Sequence, residues 1–390
     1  MRKFTTATAL LAGVALIAAG CGDDDSASGA TTTKAGATTV KPAGGGVKCS
    51  GIALGFLGAL TGDAGALGQN MVDGAQLKVD EFNKANPDCK IEIKKFDSQG
   101  APDKATPLAD SIVQDKSIVA LIGPGFSGET KATMPKFEAA GLPMITPGAT
   151  NAKLQTNGWK TFHRILANDD KQAPGVVKLL KSKGAKAVGV IDDGSEYGKG
   201  LADTVRKELG ALATASDAID PKAADYGAAV NKMKAANVDY VFYGGYYAEA
   251  AKLVKQLRAA GVKAVFVAGD GVLDEAFIKN AGSDAEGSLL TATGLPPDAT
   301  PKAFADAYQA AYKKPPALYS PEAYDVATVF LDAITAGKVT RADINTFIST
   351  YDKPGITKQL KFLPDGEIAG DAVYFTAVEG GKLVGKGIIK

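Results

Sequence analysis

The chain has 390 residues, 45% of them hydrophobic and 22% charged, with a formal net charge of +1. That balance supplies no basic surface for nucleic acid, and one histidine with three cysteines leaves no usual zinc-ligand set. From residue 47 onward the chain is long enough for two ordinary domains.

In chain order, Met1-Arg2-Lys3 gives a positive start, and residues 7–19 form an apolar run containing Leu10, Leu11, Val14, Leu16 and Ile17. This is the length of a signal-peptide core and short for a bilayer span. The run ends at Ala18-Ala19-Gly20-Cys21, which resembles a bacterial lipobox, although Ala18 stands where leucine is usual. The expectation is cleavage before Cys21 and a lipid on its thiol; the alternative is ordinary cleavage nearby with Cys21 incidental. Residues 22–47 are mostly Ala, Gly, Thr, Ser and Asp, which cannot bury enough surface to offset ordering, so they read as a flexible linker.

Next, Gly51-Ile52-Ala53-Leu54-Gly55-Phe56-Leu57 reads as a buried strand and residues 68–83 as a helix. Strands follow at Ile91-Glu92-Ile93, residues 118–122 and Met144-Ile145-Thr146, with helical patterns over 108–114 and 129–140. Cys49 and Cys89 each precede a predicted strand. Adjacent parallel strands would set their starts side by side, so the pair reads as a disulfide in an exported protein, against free buried thiols. After a non-periodic stretch at 164–171, a second series has strands at 187–191, 240–243 and 264–267, and helices at 198–209 and 248–260. Helices at 301–312 and 321–336 and strands at 360–362 and 372–378 complete the chain. Strand–helix alternation in two units predicts α/β architecture with doubly wound, mostly parallel sheets, and the C-terminal section suggests lobes that exchange segments.

Catalysis finds little support. The lone His163 lies in a predicted strand and reads as structural; Gly125-Phe126-Ser127-Gly128-Glu129 has Glu129 where a nucleophile elbow needs glycine. Neither a dinucleotide nor a phosphate-loop glycine motif occurs, so no enzyme, cofactor or metal is expected. Binding fares better, because ligands of open α/β sheets collect at the carboxyl ends of strands. Ser127 and Thr150, the latter in the turn Gly148-Ala149-Thr150, follow such strands and could hold a carboxylate, or could simply cap helices. Asp270, in Ala268-Gly269-Asp270-Gly271, is either an exposed turn residue or the counter-charge for an ammonium.

Leu60-Thr61-Gly62, Ile122-Gly123, Met144-Ile145-Thr146-Pro147, Glu196-Tyr197-Gly198 and Tyr243-Gly244-Gly245-Tyr246 occur in an order that resembles the branched-chain amino-acid (leucine/isoleucine/valine) binding proteins of ABC importers. The resemblance implies a two-lobed, type I periplasmic-binding-protein fold with three crossovers. It would divide the chain into 48–167 plus 296–371 and 168–295 plus 372–390. It implies that Ser127 and Thr150 hold a ligand carboxylate, that the Gly148 carbonyl, within the Gly148-Ala149-Thr150 turn, accepts from its ammonium, and that Asp270 replaces an acidic partner that is often Glu. Tyr197 and Tyr246 match aromatic positions of the second lobe, and Leu67, Phe126 and Tyr319 would line the side-chain pocket. The pocket differs from some members, with Leu67 at an aromatic position and Phe126 at a cysteine. The expected function is capture of an aliphatic L-amino acid by a monomeric extracytoplasmic lipoprotein that delivers it to a permease. The alternative is a sensor of the same fold for an amide, urea or aromatic acid.

Overall fold

The computed structural model describes residues 49–370 and 372–389. The signal, Cys21 and linker expectations lie outside the described residues.

The first run is β1 (Ala53–Gly58), α1 (Gly65–Ala85), β2 (Glu92–Asp97), α2 (Pro102–Gln114), β3 (Ile118–Ile122), α3 (Ser127–Ala139), β4 (Met144–Thr146) and β5 (Phe162–Arg164). Its strands form an all-parallel sheet in the order β2-β1-β3-β4-β5. β1, β3 and β4 are buried along their whole length, as a sheet covered on both faces requires. Ala53 pairs with Glu92, which brings the strand starts together; Cys49 and Cys89 are joined there by a disulfide with Cα atoms 5.3 Å apart.

The second run is α4 (Asp169–Ser182), β6 (Val188–Asp192), α5 (Glu196–Leu209), β7 (Ala213–Ala218), α6 (Gly227–Ala235), β8 (Tyr240–Gly244), α7 (Tyr247–Ala259), β9 (Val265–Ala268), α8 (Glu275–Ala281) and β10 (Leu289–Ala292). The chain continues through α9 (Lys302–Tyr312), α10 (Ser320–Thr335), α11 (Arg341–Ser349), β11 (Asp352–Pro354) and β12 (Gln359–Lys361), then β13 (Tyr374–Glu379) and β14 (Lys382–Ile388). The second sheet runs β14-β13-β10-β9-β8-β6-β7, parallel except for β13 and β14. The stretch expected to be irregular at 164–171 is in fact the end of β5, a short connection and the start of α4, whose Asn168 side chain caps the Asp170 N–H at 3.1 Å.

Helices α9 and α10 return to α1, and α10 and α11 also pack on β3, so the first sheet lies between α1/α10/α11 and α2/α3. The second lies between α4/α5 and α6/α7/α8. The backbone therefore passes between the two sheet layers three times, at residues 165–168, at 293–301 and near 369–373.

Candidate functional site

Loops leaving the carboxyl ends of both parallel sheets converge. From the first sheet, Ser127 is the opening residue of α3, with Phe126 rather than Ser127 at the cap position. The Ser127 hydroxyl accepts from the Asn151 N–H at 3.1 Å, which leaves its proton available. Beneath it, Glu129 is fully buried, accepts the Phe126 N–H at 3.0 Å and the Ser98 hydroxyl, and is pushed up to about 7 by burial.

After β4 the chain turns through Pro147-Gly148-Ala149-Thr150. Thr146 holds this turn, accepting from the Ala149 N–H at 2.9 Å and donating to the Pro124 carbonyl at 2.7 Å. Glycine at 148 is a matter of space: a Cβ there would lie 2.4 Å from Met71 Cε and 2.7 Å from the Gly125 carbonyl oxygen. The Ala149 carbonyl accepts from Arg164, and the Thr150 carbonyl accepts from the Asp169 N–H at 2.9 Å. The Thr150 hydroxyl is fully buried beside the Asp169 carboxylate, whose pKa it lowers.

From the second sheet, Asp270 follows β9 and is completely buried. Its Oδ1 accepts from the Tyr197 hydroxyl at 2.6 Å and its Oδ2 from the Tyr319 hydroxyl. Burial raises its pKa, against the pull of those donors. Burial and the Asp270 charge in turn push both tyrosines well above their usual range. Tyr319 precedes α10 in a left-handed conformation, φ +72°, unusual for a bulky side chain and the kind of strain found where position matters more than local comfort.

Leu67, Phe126 and Tyr319 share one buried apolar cluster, with Tyr246 packed against it. Phe126 meets Tyr246 edge-on at 5.4 Å between centroids, and Tyr246 in turn meets Tyr197 at 5.3 Å. These contacts bring Ser127, Gly148, Thr150, Tyr197, Tyr246, Asp270, Phe126 and Tyr319 around one interior region, while Leu67 shares only the same large apolar cluster. The structure places His163 elsewhere: its ring bonds the Met144 carbonyl at 3.2 Å, packs edge-on to Phe362, and burial lowers its pKa to about 4.

Two residues escaped the sequence reading. Asp169, first in α4, is buried; burial and the nearby Asp270 charge raise it to about 8, against the pull of the Thr150 hydroxyl and the Arg164 charge. Gln172, one turn on, spends its amide N–H groups on Thr291 at 3.1 Å and leaves its buried Oε1 unpaired. The available signal was Asn168-Asp169-Asp170, an N-cap followed by acidic residues.

Contacts across the cleft hold the two layers together. They include Tyr319 to Asp270, Asn70 Nδ2 to Asp274 at 3.1 Å, Asn151 Nδ2 to the Glu196 carbonyl at 2.5 Å, and the ion pair Lys131–Glu196 at 2.8 Å. Among the described residues no helix is long and apolar enough to cross a membrane, and no cluster of metal-ligating side chains occurs.

Comparison with known proteins agrees with this architecture. A family model described as periplasmic binding protein matches residues 51–382. The Leu/Ile/Val-binding protein BraC3 of Rhizobium johnstonii is 32% identical over 313 residues, covering 79% of this chain and 82% of the relative. The branched-chain amino acid transporter substrate-binding protein LivJ of Streptococcus pneumoniae, solved with isoleucine, superposes with a TM-score of 0.81 at 29% identity over 87% of this chain and 99% of its own. A solute-binding protein of R. palustris in complex with benzoate shares the fold, with a TM-score of 0.78 at 20% identity over 88% and 96% of the two chains. The chain belongs to the periplasmic binding protein family, in the company of branched-chain amino-acid-binding proteins.

Proposed function

We propose that this protein captures an aliphatic L-amino acid, of the branched-chain class, between two closing lobes and presents it to the permease of an ABC importer outside the cytoplasm. The lobes are residues 48–167 plus 296–371 and 168–295 plus 372–390. The observation that carries the ligand reading is a set of buried, under-satisfied acceptors: the Asp169 carboxylate, with the Thr150 hydroxyl beside it, and Gln172 Oε1. Unpaired buried carboxylates are costly, and an ammonium brings three N–H donors to such a place. Charge-assisted hydrogen bonds contribute roughly 1.5–3 kcal/mol each. Ser127, whose lone pair is engaged by Asn151 while its proton is free, suits the carboxylate end. The apolar side chain lies among Leu67, Phe126, Tyr246 and Tyr319. The relatives' names and the isoleucine of the pneumococcal structure support the same class.

A neutral amide, urea or a simple aromatic acid would leave Asp169 without a cation. The test is a thermal-shift panel on protein unfolded and refolded to remove copurified ligand, with leucine, isoleucine, valine, alanine, acetamide, urea and benzoate. A ligand at about a hundred times its Kd stabilises the fold by roughly 2.7 kcal/mol. Aliphatic amino acids should raise the transition; a response confined to the other compounds would overturn the ligand assignment and leave the fold in place. The lipid anchor is tested separately: Cys21→Ser should release the protein from membranes, and retention there would refute it.

A further inference from the structure

The three crossover segments border a partly open pocket of about 170 Å³ whose lining includes Ala167 from the first, Thr293 and Leu295 from the second, and Ala369 and Gly370 from the third. Glu322, in the first turn of α10, is fully buried in its wall. Its Oε1 accepts the Leu295 N–H at 2.6 Å, tying the second crossover to α10, while Oε2 is buried with no partner. Lys358 donates to the Ile165 carbonyl of the first crossover at 3.0 Å, and the Thr293 hydroxyl joins the second crossover to the first at 2.9 Å through the Ala167 carbonyl. Any hinge motion between the lobes must rework this cluster.

We infer that Glu322 is a proton-operated latch on the hinge, protonated when the lobes are closed and ionised when they open, so that acid favours the closed form. The inference rests on the proposed lobe closure. In the closed structure burial raises Glu322 to about 7, opposed by the Lys358 charge and the Leu295 N–H. Among the described residues, the charged and titratable groups around it are Lys358, itself buried with its pKa lowered, Asp325 and Tyr374. Asp325, one turn on, is occupied by the Ile356 and Thr357 N–H groups and the Thr357 hydroxyl. Tyr374 faces Glu322 from β13. On α1, Lys78 and Glu81 engage Tyr324 instead, and Arg341 of α11 bonds the Ile118 carbonyl. The first crossover, Ile165-Leu166-Ala167-Asn168, brings no ionisable side chain; the second, 293–301, brings Asp298, which lies beside Gly385, and Asp371 of the third lies outside the described residues.

Separation of the crossovers admits water to Oε2 and returns the group toward its ordinary 4.5. Closing below neutral pH then takes up a proton. For one group with those two values, the closing equilibrium shifts up to about tenfold between about pH 8 and about pH 6.

The test is small-angle X-ray scattering of the ligand-free full chain across that range, for the wild type, Glu322→Gln and Lys358→Met, with leucine calorimetry on the same samples. The wild type should become more compact as pH falls through about 7. Glu322→Gln should lose the part of that response centred near 7, leaving what Asp169, raised to about 8 between the same layers, contributes. Lys358→Met, which lacks the cation favouring ionised Glu322, should move the transition to higher pH, and this variant decides the matter if Glu322→Gln does not fold. A wild type with no response, an unchanged response in Glu322→Gln, or an unmoved transition in Lys358→Met overturns the latch. Failure of leucine to bind while the scattering behaves as described overturns the ligand reading alone.

Discussion

Asp169 and Asp270 divide one task. Asp270 is held between the Tyr197 and Tyr319 hydroxyls and so links the layers, while Asp169 has the Thr150 hydroxyl beside it. Asp169 at about 8 and Glu129 at about 7 bind protons more tightly in the folded chain than at their ordinary values of 3.8 and 4.5. Between those values the folded form carries more protons than the unfolded one, so stability is greatest on the acid side and is lost as pH rises through them. The melting temperature of ligand-free protein should therefore rise as pH is lowered from about 8.5 to about 6, and Asp169→Asn should flatten part of that rise. A flat wild-type profile in differential scanning calorimetry would contradict this. Asp270 and Ser127 were legible in the sequence because each follows an apolar strand. Asp169 was not, because it sits where the hydrophobic period breaks between β5 and α4.

At the scale of elements, the apolar strands announced themselves: β3 and β4 were read from composition with the bounds the structure gives, since strands buried on both faces carry little else. β7 was missed because its residues are small, polar and mostly half-exposed at the sheet edge. β14, another edge strand, is likewise glycine- and lysine-rich. The pairing of Cys49 with Cys89 followed from parallel neighbours starting side by side, and Ala53 opposite Glu92 is that arrangement. The disulfide closes a loop of 40 residues. Loop-closure entropy alone makes it worth about 4 kcal/mol, and replacing both cysteines by serine should lower unfolding free energy by roughly 2–4 kcal/mol in denaturant titration. An unchanged midpoint would show that the fold closes this loop without the bond. Tyr319, held at φ +72° ahead of α10, was foreseeable as a pocket residue only through the family resemblance; its conformation is set by how α10 docks on α1, which no local pattern encodes.

For the whole molecule, two sheets are built from interleaved segments and joined by three short stretches of chain. Under the proposed closure, polar contacts that span both layers form together only in the shut state, so a ligand touching both layers would shift the population toward it. The alternation of strands and helices revealed two α/β units, and the C-terminal section that fitted neither proved to return to both, α9–α11 to the first layer and β13–β14 to the second. Sequence and resemblance together set Ser127, Thr150 and Asp270 around one ligand; what they did not supply was Asp169, whose place beside Thr150 and Asp270 depends on both layers at once.

Isothermal titration of leucine against 4-methylpentanoate, its counterpart without the amino group, reads whether the buried acceptors around Asp169 recognise an ammonium. Loss of one partner from a buried, hydrogen-bonded charge pair costs about 2–5 kcal/mol. Leucine should bind, and 4-methylpentanoate should bind at least about thirtyfold more weakly. Equal affinity for the two would mean that no ammonium is recognised here and that the buried carboxylate of Asp169 serves another end.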